Sequence, residues 1–359
     1  MKLSYQNVVV KIGSNVLTQS DGLPDLERMK HLVGELTALK KAGVNVILVS
    51  SGAVAFGRSL IGISEKKDVV AARQLLASVG QVKLINTYAQ LFAEQEITCA
   101  QVLVTKEDFR DRVHYLNIKN CLQILLGNNV IPIVNENDVV SVTELMFTDN
   151  DELAGLISAM WNADALIILS NVAGIYTGHP EHPESLLLEK ISGDQLGKID
   201  FVASAKSQFG RGGMVTKSAM AQKTARLGIP VHIANGMTAN VLKRLFDGEL
   251  AHTQFMPRKG ASNIKKWIAS SESVVTGEVE INIGAKEAIT ADKAASLLLV
   301  GVVRIISPFK KGDIIRLVDP RGHKVGYGLA EYPSEKAIEL LGQKKIKPLV
   351  HYDYFYQTS

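Results

Sequence analysis

The chain has 359 residues, of which 46% are apolar and 21% charged. That length suits two domains better than one, and the apolar share excludes wholesale disorder. The net charge of +4, from 40 basic and 36 acidic residues, is not the strong clustered excess of a polyanion binder.

The first seven residues are polar and lead straight into an apolar run, without the basic and apolar regions of a signal peptide. No apolar run approaches the ~18 residues that span a bilayer. The chain therefore reads as soluble and cytoplasmic, with no membrane partner. Its two cysteines, Cys99 and Cys121, match no metal spacing and read as small buried apolar residues.

Short apolar runs at 8–12, 44–50, 98–104, 130–135, 165–170 and 230–234 read as strands. Most are rich in Val, Ile and Leu on both faces, as in a parallel sheet covered on two sides. Between them, apolar residues at helical spacing predict helices over 26–42, 68–90, 112–126 and 215–227. Gly43 and Gly228 follow the first and last of these as stop signals. Strand and helix in alternation predict an α/β fold, a three-layer α/β/α sandwich around a mostly parallel sheet. Residues 1–255 make up this unit.

The pattern changes at 256–274, where Pro257, Gly260, serines and basic residues suit a linker. Residues 275–359 carry strand-like runs at 302–306, 313–318, 325–330 and 348–351, with glycine turn signals between them. They predict a small, mostly-β, barrel-like domain. This part has 12 Lys/Arg against 10 Asp/Glu, so nucleic acid is not an expected partner.

Ligands of open α/β sheets bind beyond the carboxyl ends of the strands. The first strand ends with Lys11, Gly13 and Ser14, and the second with Ser50, Ser51, Gly52 and Ala53. The fourth is followed by Asn135-Glu136-Asn137-Asp138, the fifth by Ser170-Asn171. At 148–152, Asp149 and Glu152 fit a helix cap, which leaves Asn150 and Asp151 free for a ligand or a lysine. Glycines at 210, 212 and 213 precede a helix whose first turns hold Lys217. Such a helix start suits phosphate. Thr216 before Lys217 departs from a Walker A loop.

Two lysines, Lys11 and Lys217, thus flank a glycine-rich cradle, with no His or Cys placed as nucleophile or base. A carboxylate acceptor is already ionised at neutral pH and needs no base. It needs positioning and neutralised charge around the phosphoryl group. The residues therefore point to a kinase that makes an acyl phosphate.

Several segments resemble the amino acid kinase family with a C-terminal PUA domain. They are the run at 10–18, SSGAVAFG at 50–57, VNENDV at 134–139, Asp149-Asn150-Asp151, the run at 174–177 and GGMVTK at 212–217. In the last 80 residues, Gly284-Ala285, Gly301-Val302, Gly312-Asp313 and Val350-His351 are similar to the PUA domain. SSGAVAFG with VNENDV is the pattern of family members that take glutamate.

The resemblance implies transfer of the ATP γ-phosphate to the side-chain carboxylate of L-glutamate, the first step of proline synthesis, with Mg2+ as cofactor. It implies that Lys11 and Lys217 meet the ATP phosphates and that Asp151 orients both. Ser51, Asp138 and Asn150 would bind glutamate, with Asp138 taking the α-ammonium and the Ser51, Gly52 and Ala53 backbone offering N–H groups to a carboxylate. Gly13, Ser170, Asn171, Arg211, Gly212, Gly213, Met214, Val215 and Thr216 would line the nucleotide site with the two lysines. It also implies a homo-oligomer, dimer or tetramer, and proline as feedback inhibitor.

The chain departs from the family pattern at Thr148 for Gly, Asn171 for Asp, Arg211 for Thr, and Tyr352 for Arg. Asn171 brings no negative charge to Mg2+ or a lysine. The alternatives are a kinase for another small carboxylate and a regulatory relative without catalysis.

Overall fold

The computed structural model describes residues 3–62, 68–109, 111–140, 147, 149–180, 182–192, 214–258, 268, 275–291, 295–343 and 346–358. It divides into two compact units, Met1–Gly260 and Ala261–Ser359.

The first unit alternates strands and helices: β1 (Asn7–Ile12), α1 (Ser14–Leu17), α2 (Leu26–Lys41), β2 (Asn45–Ser50), α3 (Ala53–Arg58), α4 (Val69–Ala93), β3 (Cys99–Val104), α5 (Arg112–Gly127) and β4 (Ile131–Glu136). It continues with α6 (Asn150–Trp161), β5 (Ala165–Ser170), β6 (Lys190–Ile191), α7 (Met214–Arg226), β7 (Val231–Asn235), α8 (Val241–Asp247) and β8 (Thr253–Phe255). The sheet order is β3-β4-β2-β1-β5-β7-β8-β6. The six strands from β3 to β7 run parallel, and β8 turns antiparallel to β7 with β6 parallel to β8. The chain works outward from β1 on one side through β2, then crosses to β5 on the other, so the strand order reverses around β1. Such a reversal is where open sheets bind ligands.

Alternation along β1 sets which side chains reach which layer. Val8, Val10 and Ile12 join one core cluster with Leu32 and Leu36 of α2, Leu84 and Tyr88 of α4, and Leu242 of α8. Val9 and Lys11 point to the opposite layer, where α6 and α7 lie against each other. The α6–α7 contact is tight, since a Cβ on Gly155 would come within 2.7 Å of Thr224 Oγ1.

At the other end of the sheet a polar chain runs from the half-buried Tyr5 and His252 to the buried His232. His252 Nδ1 lies 2.8 Å from the Leu250 carbonyl, which only accepts, so that nitrogen carries the hydrogen. His252 Nε2 then accepts from His232 Nδ1 at 2.9 Å, and His232 Nε2 accepts from the Tyr5 hydroxyl at 2.9 Å. Burial, reinforced by His252, lowers the pKa of His232 to about 3. Because the folded value lies below the unfolded one, this neutral histidine stabilises the protein fully above pH ~6.5 and progressively less as pH falls toward 3. Denaturant midpoints should drop over that window, by up to ~4 kcal/mol in stability. His232→Gln, which cannot titrate, should show a shallower decline.

The second unit has β9 (Gly277–Ile281), α9 (Ile283–Thr290), β10 (Val302–Ser307), β11 (Ile314–Val318), β12 (Lys324–Leu329), α10 (Ser334–Glu339) and β13 (Phe355–Gln357). Its five strands form one mixed sheet, β10-β9-β11-β12-β13, around a core that includes Val279, Ile281, Leu299, Ile315, Leu317 and Leu349. The edges β10 and β13 are not paired with each other among the described residues. The expected strand at 348–351 forms only an isolated bridge, Val350 to Leu297, before a short 3-10 turn at Tyr352–Tyr354. No described helix is long and apolar enough to cross a membrane. Both cysteines are free, but Cys121 is exposed and Cys99 only half-buried, against the expectation of two buried residues. Cys121 lies on the outer face of α5, where the helical spacing carries it away from the sheet.

Candidate active site

The first turn of α6 supplies the acid that organises the site. Asp149 caps the helix by accepting from the Asp151 and Glu152 amides at 2.9 and 3.1 Å. Glu152 pairs with Lys106 at 3.2 Å. Asp151 is then held in the first turn, where the helix dipole favours a negative charge, and it is only 1% exposed.

Two lysines converge on Asp151. Lys11 Nζ, from the face of β1 that looks toward α6, lies 2.6 Å from Oδ1. Lys217 Nζ, from the first turns of α7, lies 2.6 Å from Oδ2. Both lysines are buried. Burial opposes the charge on Asp151, but the attraction of the two ammonium groups and their hydrogen bonds wins and holds its carboxyl well below the usual range. Burial pushes Lys11 below the usual lysine range; Asp151 opposes that, and the Lys217 charge adds to it. Burial and the Asp151 charge push Asp149 upward. One carboxylate shared by two ammonium groups leaves a net positive charge in a poorly solvated place, which suits a phosphate oxygen.

Beside this pair, Asn150 joins three elements. Its Nδ2 donates to the Ser50 carbonyl at 3.2 Å, to Ser51 Oγ at 2.9 Å and to Asn135 Oδ1 at 3.1 Å. The ends of β2, β4 and α6 are thereby brought together. Gly52 sits at φ +110°, a left-handed conformation that glycine tolerates, and it starts α3. No helix was expected here, where the residues following β2 carry no helical periodicity. α3 is placed by close backbone approach to α4: a Cβ on Gly80 would collide with the Ala53 carbonyl and the Gly57 amide. The Ser51 amide already donates to the Ile12 carbonyl at 3.2 Å. Of the three N–H groups expected to face a carboxylate, those of Gly52 and Ala53 therefore remain.

Asp138 is placed differently from Ser51 and Asn150. Its Oδ1 accepts from Arg73 Nε at 2.9 Å and from Arg73 Nη2 at 2.6 Å. Arg73 Nη2 also lies 3.6 Å from Glu136. Arg73, Gln74 and Gln81 of α4 line the exit of β4 together, Gln74 donating to the Val139 carbonyl and Asn135 donating to Gln81, both at 2.9 Å. Arg73 and Gln81 had no role from the sequence, since 68–90 reads as a helix by its apolar spacing alone.

On the nucleotide side, Gly13 donates to the Leu169 carbonyl at 3.1 Å. A Cβ there would stand 3.6 Å from Lys11 Nζ, so glycine keeps that flank open. Ser170 is buried at the end of β5, and Asn171 beyond it is exposed. Met214, Val215 and Thr216 open α7 ahead of Lys217. Arg211, Gly212, Gly213 and Thr148 lie outside the described residues. Among the described residues, no group of three or more His, Cys, Asp or Glu could hold a metal ion.

Residues 6–235 match the amino acid kinase family, and residues 277–352 match the PUA domain. The chain is 50% identical over 360 residues to a glutamate 5-kinase of Bacteroides thetaiotaomicron, covering 99% of both chains. It is 46% identical over 353 residues to a glutamate 5-kinase of Chlorobaculum tepidum, covering 98% of this chain and 97% of that one. Among solved structures, a carbamate kinase from Giardia lamblia bound to AMP-PNP matches 71% of this chain and 99% of its own, with TM-score 0.51 at 21% identity. That likeness concerns the fold.

Proposed function

The chain belongs to the amino acid kinase family, and from that premise we propose that it phosphorylates the side-chain carboxylate of L-glutamate with ATP, making L-glutamyl 5-phosphate for proline synthesis. The observation that carries this reading is the buried Lys11–Asp151–Lys217 group next to the Asn150–Ser51 cluster.

A side-chain carboxylate oxygen attacks the γ-phosphorus, the bond to the β–γ bridging oxygen breaks, and ADP leaves. The acceptor is already ionised, so no residue has to remove a proton. Lys11 and Lys217 neutralise charge on the transferring group, and Asp151 keeps the two ammonium groups in place before substrate arrives. Ser51, Asn150 and the Gly52 and Ala53 amides hold the acceptor carboxylate. Gly13, Ser170, Asn171 and residues 211–217 line the nucleotide.

The donor set on the phosphate side is cationic or neutral, which fits a metal held by the nucleotide. Mg2+ in such sites is carried largely by substrate phosphates and water, and it neutralises part of their charge. The linker and domain boundary remain at 256–274 in this reading, with a homo-oligomeric assembly and inhibition by proline.

The test is to incubate the full chain with ATP, Mg2+, glutamate and hydroxylamine and to measure the γ-hydroxamate. Product with glutamate is expected. No product with glutamate, but product with another carboxylic acid, would sink the substrate. Proline added to the same assay should lower the rate.

A further inference from the structure

The clearest polar feature that this mechanism leaves unused is the Arg73–Asp138 pair. Asp138 is the group expected to receive an α-ammonium, yet it already holds a cation. Arg73 meets it through two N–H groups at 2.9 and 2.6 Å. The Asp138 side chain is 9% exposed and that of Arg73 25%, so the arginine is the more accessible partner. A guanidinium has five N–H donors in a fixed fork. Only Nε and Nη2 are engaged among the described residues. Nη1 is left with two N–H groups that can donate to a carboxylate in a charge-assisted way.

An α-amino acid carries its ammonium and carboxylate on one carbon. A site that binds that carbon needs an acid and a base side by side, each offsetting the other's charge when the site is empty. Arg73 and Asp138 are such a pair. They also stand in the right place. β4 and β1 are separated by β2, so the exit of β4 lies ~10 Å from the strand that bears Lys11. Asn135, at that strand end, donates to Gln81 of α4 at 2.9 Å and accepts from Asn150 at 3.1 Å, which ties the Arg73–Asp138 pair to the cluster that holds the other carboxylate.

We infer that Arg73 and Asp138 form a clamp for the α-amino acid head of the acceptor, Arg73 binding the α-carboxylate and Asp138 the α-ammonium. The clamp rests on the proposed glutamate reading. It adds the residue that separates an α-amino acid from a simple carboxylic acid. Arg73 is held for this by its place on α4, where Gln74 and Gln81 pin the same helix face to the exit of β4. In the empty site Arg73 and Asp138 screen each other, and the substrate replaces that one ion pair by two.

The full-length wild type, Arg73→Ala and Arg73→Lys are compared by initial rates with ATP and glutamate. Two analogues serve as competing ligands: 4-aminobutyrate, which lacks the α-carboxylate, and glutarate, which lacks the α-ammonium. Arg73→Ala should raise KM for glutamate by about 10- to 100-fold, with a far smaller effect on KM for ATP and on kcat. The inhibition constant of 4-aminobutyrate should hardly move, because it has no α-carboxylate to lose, whereas that of glutarate, which keeps both carboxylates, should rise along with KM for glutamate. Arg73→Lys should recover part of the lost affinity as a point charge. If KM for glutamate stays within about 3-fold of wild type in both variants, the clamp is wrong. If glutamate and 4-aminobutyrate weaken by the same factor, Arg73 is a structural pin and the clamp is also wrong. A wild type that makes no glutamyl phosphate overturns the activity reading itself, and that failure appears before any variant is measured.

Discussion

Replacing Lys217 by alanine should lower turnover by about two to four orders of magnitude while the protein stays folded. Lys217 lies on α7 and Lys11 on β1, and both reach Asp151 at 2.6 Å. Losing Lys217 removes one of two positive charges aimed at the phosphoryl group as its bonds change. Groups that act on the transition state lower kcat more than they raise KM, so KM for glutamate should move far less than kcat. The fold survives because Lys11 still pairs with Asp151, and because two neighbouring buried ammonium groups repel each other, which the substitution relieves. The hydroxamate rate and a thermal melt on the same sample separate the two effects. Turnover near the wild-type level in a folded Lys217→Ala protein would break the mechanism.

The lysine pair was legible early because it depends on local rules. Alternation along a strand places Lys11 opposite Val8, Val10 and Ile12, which join the α2 and α4 layer. A helix cap at Asp149 fixes Asp151 in the first turn. A glycine-rich run before a helix marks where Lys217 begins. Sheet and helix periods likewise gave the α/β alternation, with β5 placed to the residue at Ala165–Ser170. What failed to show depends on distant contacts. Residues 73 and 138 meet only because α4 crosses the exit of β4, and nothing in either segment names the other. α3 was hidden for a similar reason: six residues after a Ser-Gly pair are too few for a periodic signal, and the Gly57 and Gly80 backbones packing together hold them as a helix. The second unit was read less well. Its β9, at Gly277–Ile281, and α9, at Ile283–Thr290, were not anticipated, since five- and eight-residue elements carry weak periodic signals.

Asp151→Asn should be the most destabilising single change in the site, by about 3–5 kcal/mol at neutral pH. The side chain is 1% exposed and accepts from both lysines. Asparagine keeps the shape but loses the charge, and its amide turns a donor toward one ammonium group. Two buried cations are then left without compensation, and burial already holds Lys11 below the usual lysine range. With the acid gone, that depression should deepen. A lysine whose folded pKa lies below its unfolded value binds fewer protons folded than unfolded, so the variant should gain stability as pH rises toward ~10. The deficit measured by urea unfolding should therefore shrink between pH 7 and pH 10. Phosphate offers a second readout. An anion that binds both ammonium groups replaces the missing charge, so added phosphate or ATP should raise the melting temperature of Asp151→Asn more than that of the wild type. A deficit independent of pH, with no larger response to phosphate, would mean that Asp151 does not hold the two lysines as a charged group. Its loss should also abolish most turnover, because the two lysines are then no longer held in line before ATP arrives.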